Sequence, residues 1–453
     1  MATPSAPPPA ASPTSPPREL PRSLGALTAA LLIVASMIGA GVFTTTGFLV
    51  RDLGSPLIVL LAWALGGVIA LCGALAYAEL GAALPHNGGE YRLLGRIYHP
   101  AVGFVAGWVS LVVGFSAPTA AAALAFGEYL GRLLPGVPAV AAGLALIVAL
   151  GGLHAAHVRL GGRVQDAVTV ILVVLIVAFI AGGLALGDLS HLTAPTQGAG
   201  LAALASPAFA VGLVYIAFSY SGWNAAAYIA GEIERPSVNV PKALVLGTSI
   251  VALLYVGLNL VFLIAAPASE LAGVLEVGYV AAVRLFGATI GAVMTVIVAL
   301  GLLTTVSALM MAGPRVYEAM GADYPRIGAL AARLGGGGER GPAAAIALQT
   351  ATAAAMVVTA AFDDLLTYMG LTLSVSSALT IAGVFVLRRR EPALARPYRT
   401  WGHPFTTVVA LALMLWMAIR TIGERPLTAL VAAATVAVGV VLYFIARPPP
   451  DRS

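Results

Sequence analysis

The chain has 453 residues, of which 60% are hydrophobic and only 9% are charged. Soluble globular domains carry about 25% charged residues, so this composition excludes that class and predicts a polytopic membrane protein. The net charge of +5 does not indicate nucleic-acid binding, because the basic residues lie in loops between apolar runs. Cys72 is the single cysteine, which excludes an intramolecular disulfide.

Residues 1–22 are rich in Pro, Ala and Ser and lack an apolar core, which predicts a disordered cytoplasmic tail. We expect no secretory signal there, because the first apolar run follows Arg18 and Arg22 and continues too long for one. A membrane-spanning helix needs ~20 apolar residues, and twelve such runs follow the tail. They cover residues 24–49, 56–84, 101–131, 138–156, 164–186, 208–232, 242–266, 287–312, 342–360, 364–387, 404–421 and 427–446.

The distribution of basic residues predicts the orientation of these spans. Nineteen of the 24 Lys and Arg residues lie on the side of the N-terminus. The five on the other side are Arg51, Arg132, Arg284, Arg420 and Arg425. Because positive loops stay inside, both termini are predicted to be cytoplasmic, in a multi-pass protein of the cytoplasmic membrane.

Two loops have a pattern typical of local structure. Residues 86–98 mix apolar and polar groups on the inner face, which is compatible with an interfacial helix. Residues 268–285 have a helical apolar rhythm on the outer face, compatible either with a lid over an outer vestibule or with a surface connector.

Spans 1 and 6 are each interrupted near their middle by small residues. The first break is Ile-Gly-Ala-Gly-Val at 38–42, and the second is Phe-Ser-Tyr-Ser-Gly-Trp-Asn at 218–224. Interrupted spans in corresponding positions of two halves predict the binding site of a transporter. The half-helix after Gly39 directs free N–H groups toward a carboxylate, and the half-helix ending near residues 218–221 directs free carbonyls toward an ammonium group. This pattern predicts a site for a zwitterion that needs no charged side chain.

Several motifs in order resemble those of the amino acid–polyamine–organocation superfamily, over residues ~24–390. They are Ile-Gly-Ala-Gly-Val-Phe at 38–43, Ala-Glu-Leu-Gly at 78–81, Pro85 with Gly-Gly-Glu-Tyr at 88–91, Gly-Arg-Val-Gln-Asp at 162–166, and Phe218, Tyr220, Gly222, Trp223 and Asn224 with Glu232 and Pro236. The resemblance implies an all-α fold of 12 transmembrane helices. This is the LeuT-like inverted 5+5 repeat with broken spans 1 and 6 and two peripheral helices. It divides the chain into repeats at 23–186 and 206–388 and peripheral spans at 403–446.

The resemblance also implies roles for single residues. Gly39, Ala40 and Gly41 bind the substrate carboxylate through backbone N–H groups, and Ile38, Phe218 and Ser221 bind the ammonium group through carbonyls. Phe218 also gates the site, with helix packing as the alternative. Ser219, Trp223 and Asn224 complete the candidate site, with packing and backbone capping as the alternative for the last two. Glu79 and Glu90 are expected to anchor the inner loop.

Span 5 departs from many relatives, which place there a lysine whose ammonium substitutes for a sodium ion. Leu172 occupies the matching position, and the only lysine, Lys242, lies in an inner loop. A sodium site would use the carbonyls of Ala35, Ile38 and Gly301 with the hydroxyls of Thr304 and Thr305. The alternative is that both threonines hydrogen-bond within their own helix. Sodium coupling, proton coupling through Glu232 or Asp166, and uncoupled exchange all remain open, and no other cofactor or metal is expected.

The polar residues in the middles of the spans predict the substrate class. The expected pocket contains no carboxylate and is lined by Ser110, Ser116, Thr119, Ala225, Ala226, Ser307 and Ser374. The prediction is therefore a secondary active transporter for a neutral amino acid, small or moderately apolar, working by alternating access. The alternatives are an exchanger of cationic amino acids or polyamines, or a non-transporting amino acid sensor. We expect no enzymatic activity, a lipid bilayer as environment, and a monomer or homodimer.

Overall fold

The computed structural model describes residues 22, 24–86, 88–155, 162–193, 200–324, 326 and 343–446. Apart from Arg22, the predicted tail at 1–22 lies outside the described residues. The described chain is helical, and its only β-type contact is an isolated bridge between Leu24 and Ile233.

The first group of helices runs to the end of the fifth apolar run. These helices are α1 (Ala26–Met37), α2 (Ala40–Leu53), α3 (Pro56–Ala83), α4 (Gly89–Ile97), α5 (Pro100–Val109), α6 (Ala117–Leu133), α7 (Ala139–Ala155) and α8 (Gly162–Leu186), with a π-helical segment Ser110–Ser116 between α5 and α6. A short helix, α9 (Ser190–Thr193), and a 3₁₀ segment Gly200–Ala205 follow.

The second group begins with the sixth apolar run. These helices are α10 (Pro207–Ser219), α11 (Ala225–Tyr228), α12 (Pro236–Ala265), α13 (Ala268–Leu271), α14 (Val277–Phe286), α15 (Ala288–Asp323), α16 (Ala343–Thr359), α17 (Phe362–Arg390), α18 (Phe405–Glu424) and α19 (Pro426–Ala446). A 3₁₀ turn, Ala230–Glu232, separates α11 from α12.

The lengths and composition of these helices establish a polytopic helical membrane protein. Seven helices in the described chain are long and apolar enough to cross a bilayer, and an eighth span results if the bent pair α1 and α2 is counted as one. Five shorter apolar helices accompany them. Each of the twelve apolar runs coincides with helix.

Small residues allow these helices to approach closely. In a membrane the hydrophobic effect does not hold the spans together, because lipid is as apolar as the side chains, so the helices associate through close van der Waals packing. Gly370 of α17 lies directly on α10, since a Cβ placed on it would come within 2.1 Å of the Val214 carbonyl oxygen. Gly127 of α6 lies in the same way on the carbonyl of Ala139, which begins α7. Any larger side chain at these positions would separate the helices.

The two structured loops contain helices. Residues 86–98 include α4, whose buried face carries Glu90, Tyr91 and Leu94. Residues 268–285 include α13 and most of α14, and Val274 between them packs on Gly47 of α2. The second loop therefore lies against the half-helix that follows the first break.

Candidate functional site

The first break separates α1 from α2 at Ile38 and Gly39. Both residues have extended backbone angles, and the two helix axes differ by 44°. No side chain caps the N-terminus of α2, so its first-turn N–H groups have no side-chain acceptor. The other end of the break is held in place, because the Tyr255 hydroxyl donates to the carbonyl of Met37. The break thus has the character of an anion-binding helix end.

The second break separates α10 from α11. Gly222 lies within it at φ +98°, in the left-handed region that favours glycine. The N–H of Ser221 donates to the carbonyl of Phe218 at 2.8 Å, which leaves that oxygen one further lone pair. The carbonyl end of α10 therefore carries the negative partial charge of a helix C-terminus.

The tertiary fold brings the two breaks into direct contact. A Cβ on Gly41 would lie 2.7 Å from the Cα of Ser219, and a Cβ on Gly222 would lie 2.6 Å from the carbonyl oxygen of Ser36. The hydroxyls of Thr45 and Ser219 hydrogen-bond at 3.0 Å across the same contact. The positive end of α2 and the negative end of α10 accordingly meet inside the helix bundle.

Trp223 and Asn224 lie at the edge of this contact and have partners of their own. The Trp223 ring packs edge-on against Tyr77, with 4.6 Å between centroids, and its tip fills the space beside Gly73 of α3. The Asn224 amide donates to Glu90 at 3.2 Å. The contacts of Trp223 correspond to the packing alternative, whereas the Asn224 side chain bonds to a carboxylate and does not cap the backbone of α11.

Leu172 lies at a small cavity beside the first break, opposite Gly301 of α15. A Cβ on Gly301 would come within 3.0 Å of the Leu172 side chain. The cavity is lined by Ile38, Gly39, Phe43, Leu172, Val298, Gly301, Leu302 and Thr305. Thr305 carries the single hydroxyl among these lining side chains.

The two threonines of the predicted sodium site bond within their own helix. The hydroxyls of Thr304 and Thr305 donate to the carbonyl of Gly301 at 2.8 and 3.0 Å. The atom of Thr305 nearest to a Cβ built on Gly39 is its methyl carbon, at 3.9 Å. These bonds correspond to the alternative expected for both threonines, in which the hydroxyls bond within their own helix.

Two carboxylates were candidates for proton coupling. Glu232 ends the 3₁₀ turn after the second break, and its carbonyl accepts the N–H of Leu24 at 3.1 Å. The side chain of Asp166 lies outside the described residues. A different carboxylate, Glu79, accepts bonds from the Arg388 guanidinium at 2.7 and 2.8 Å and thereby joins α3 to α17.

The hydroxyls expected in the pocket are largely engaged elsewhere. Ser307 hydrogen-bonds to His154 of α7 at 2.9 Å. Ser116 and Thr119 donate to carbonyls of their own helical segment. Ser116 ends the π-helical segment, a type of helix distortion that is frequent at functional sites and that sequence patterns do not reveal.

Two tyrosines that the sequence analysis missed hold the first break. Tyr255 of α12 binds the Met37 carbonyl, and Tyr129 of α6 donates to the Phe43 carbonyl at 3.1 Å. These contacts span 218 and 86 residues along the chain. No local pattern marks such residues, because their partners are backbone atoms of distant segments.

Two interrupted helices that meet by their backbone ends inside an apolar bundle define a membrane transport protein with discontinuous spans. The sequence model of the family described as "Amino acid permease" matches residues 24–451. The chain belongs to the amino acid permease family, as the motifs indicated. The prediction that it is an amino acid transporter is thereby confirmed.

Individual relatives agree with this assignment. The chain is 29% identical to the serine/threonine exchanger SteT of Bacillus subtilis (strain 168), over 86% of this chain and 88% of the relative. It is 26% identical to the large neutral amino acids transporter small subunit 2 of Rattus norvegicus, over 93% and 80%. It is 25% identical to the Asc-type amino acid transporter 1 of Homo sapiens, over 93% and 82%.

Proposed function

We propose that this protein exchanges neutral amino acids across the cytoplasmic membrane by alternating access, with the two breaks as its substrate site. The observation that carries the proposal is the contact of the uncapped N-terminus of α2 with the carbonyl end of α10. Complementary partial charges at adjacent helix ends match the separated charges of a zwitterion.

The roles of the backbone groups follow from this polarity. The N–H groups of Gly39, Ala40 and Gly41 bind the carboxylate. The carbonyls of Ile38, Phe218 and Ser221 bind the ammonium group, and the Phe218 ring covers the substrate. Because backbone dipoles supply the charge, the site avoids the cost of an unpaired ionic side chain inside the bilayer.

The proposal includes the topology predicted from the sequence. Twelve spans form two inverted five-span repeats, at 23–186 and 206–388, with two peripheral spans at 403–446. Both termini are cytoplasmic, and the protein works as a monomer or homodimer. The coincidence of all twelve apolar runs with helix supports this arrangement.

Two observations support a neutral substrate. The residues proposed to line the pocket include no carboxylate, which a cationic side chain would need. Relatives are named for serine and threonine and for large neutral amino acids. Exchange is the proposed mode, because one relative is named as an exchanger and the Thr304 and Thr305 hydroxyls bond within their own helix.

Counterflow in proteoliposomes tests this function. Vesicles loaded with one unlabelled amino acid are mixed with a labelled panel of serine, threonine, alanine, leucine, arginine and putrescine. We expect accumulation of the neutral amino acids only when the lumen holds a neutral amino acid. Preference for arginine or putrescine would favour the cationic alternative, and specific binding without any flux would favour the sensor.

A further inference from the structure

Glu90 of α4 is a fully enclosed carboxylate next to the second break. Only 4% of the Glu90 surface is exposed to solvent. It accepts hydrogen bonds from four neutral groups, which are the Tyr77 hydroxyl of α3, the Asn224 amide at 3.2 Å, and the hydroxyls of Ser376 and Ser377 of α17, the latter at 3.3 Å. These donors come from three separate elements.

The basic residues of α4 do not neutralise this carboxylate. Arg92 pairs with Asp323 at 3.0 Å, and Arg96 pairs with Glu391 at 2.6 Å. Glu79, by contrast, is bound by a guanidinium. Among the described residues, Glu90 therefore depends on neutral donors, and a buried carboxylate that loses such donors is costly.

The contacts of Glu90 join the second break to α17. Asn224 belongs to the second break, whereas Ser376 and Ser377 belong to the long helix α17. The start of α4 also packs on the segment after the break, since the N–H of Gly88 donates to the Tyr228 carbonyl at 3.0 Å. These contacts close the bundle between the break and the face of the protein on which α4 lies.

We propose that Glu90 is a positioning residue that latches the second break to α17, so that the α4 side opens only when the Glu90–Asn224 or Glu90–Ser376/Ser377 contacts are released. The inference rests on the proposed alternating access, because a latch has a role only where that side opens.

Site-directed labelling tests the latch without requiring transport. In a Cys72→Ala background, Ala227→Cys places a reporter thiol just after Asn224, at a position that is now buried. A membrane-impermeant maleimide is applied to vesicles of both orientations. Three variants each remove part of the latch, and each is expected to raise the labelling rate from the α4 side about tenfold. This factor corresponds to the loss of a charge-assisted hydrogen bond. The variants are Glu90→Ala, Asn224→Ala and the double change Ser376→Ala/Ser377→Ala.

The matched control is Thr372→Ala, which removes a hydroxyl of α17 that donates to the Tyr368 carbonyl of its own helix. It should label like the parent. Adding Asn224→Ala to Glu90→Ala should not raise the labelling rate above that of Glu90→Ala alone, because Glu90→Ala already removes the contact with Asn224. Labelling from the opposite side should not rise in any latch variant.

Two results would overturn the latch. One is an unchanged labelling rate in all three latch variants when each elutes as a monodisperse peak. The other is an equal increase from both sides, which indicates general loosening. Glu90→Asp serves as the conservative rescue and should label more slowly than Glu90→Ala. If the parent protein shows no counterflow but the latch variants label faster only from the α4 side, the proposed transport is refuted and the latch is not.

Discussion

Gly41 and Ser219 lie so close that a Cβ on the glycine would stand 2.7 Å from the Cα of the serine and 2.6 Å from its hydroxyl oxygen. This contact holds the N-terminus of α2 against the end of α10. The geometry of the proposed substrate site therefore depends on a position where only a hydrogen atom fits.

Gly41→Val should abolish counterflow, with a loss of at least about tenfold, because overpacking here pushes the two helix ends apart. Gly152→Val is the matched control, since nothing lies within 4 Å of a Cβ at Gly152 of α7. The control should retain exchange within about twofold. Both variants are compared by initial rate per folded protein, and parental exchange by Gly41→Val would contradict the backbone site.

Tyr255→Phe should weaken substrate binding about fivefold, the effect of one lost neutral hydrogen bond. The missing hydroxyl frees the Met37 carbonyl and lets the first break move. Binding is measured by scintillation proximity with the preferred labelled amino acid. Tyr98→Phe is the control, because the Tyr98 hydroxyl donates to Leu379 on another surface of the bundle, and an equal effect in both variants would refute a specific role.

Replacing external sodium by choline should leave the exchange rate unchanged within about twofold. The reason is that the Thr304 and Thr305 hydroxyls bind the Gly301 carbonyl. Thr305→Val, which keeps the methyl group and removes the hydroxyl, should likewise retain exchange. Strong sodium stimulation that Thr305→Val removes would support the sodium site predicted from the sequence and contradict uncoupled exchange.

Thermal stability should depend on pH through Glu90. Burial raises the pKa of this carboxyl group above its ordinary value, against the opposing effect of its hydrogen bonds. The folded state then holds the proton to a higher pH than the unfolded state. The resulting stabilisation is complete below the ordinary pKa and is lost as pH rises through the raised pKa.

The measurement is the melting temperature of the detergent-solubilised protein, taken from below the ordinary pKa of a glutamate to neutral pH. Glu90→Gln is the comparison. The titratable groups that face Glu90 are the hydroxyls of Tyr77 and Tyr228, which stay neutral there. The melting temperature of the parent should therefore fall relative to that of Glu90→Gln as the pH rises through the raised pKa of Glu90. A constant difference would show that Glu90 keeps one protonation state.

Local sequence was sufficient to locate the breaks and the helices around them. Gly39 and Gly222 mark the interruptions because glycine lacks the side chain that would favour continued helix. The mixed pattern at 86–98 was sufficient to suggest α4. The twelve apolar runs coincide with helices because lipid forces the backbone to satisfy its own hydrogen bonds.

The partners of polar side chains could not be predicted in this way. The sequence left two readings for Thr304 and Thr305, and for Trp223 and Asn224, since each residue type serves either role. The choice depends on what lies beside the residue in space. The methyl of Thr305 toward Gly39 and the Asn224 amide on Glu90 are consequences of packing between distant helices.

Taken alone, the sequence determined that this is an apolar helical membrane protein with two interrupted spans and the motifs of the permease family, because composition and glycine placement act locally along the chain. Only the tertiary structure decided that the breaks touch at Gly41 and Ser219, that Tyr255 holds the first break, and that Glu90 joins the second break to α17. The donors of Glu90 lie 13, 134, 286 and 287 residues away along the chain. Contacts of that separation arise from helix packing, which short-range sequence patterns do not encode.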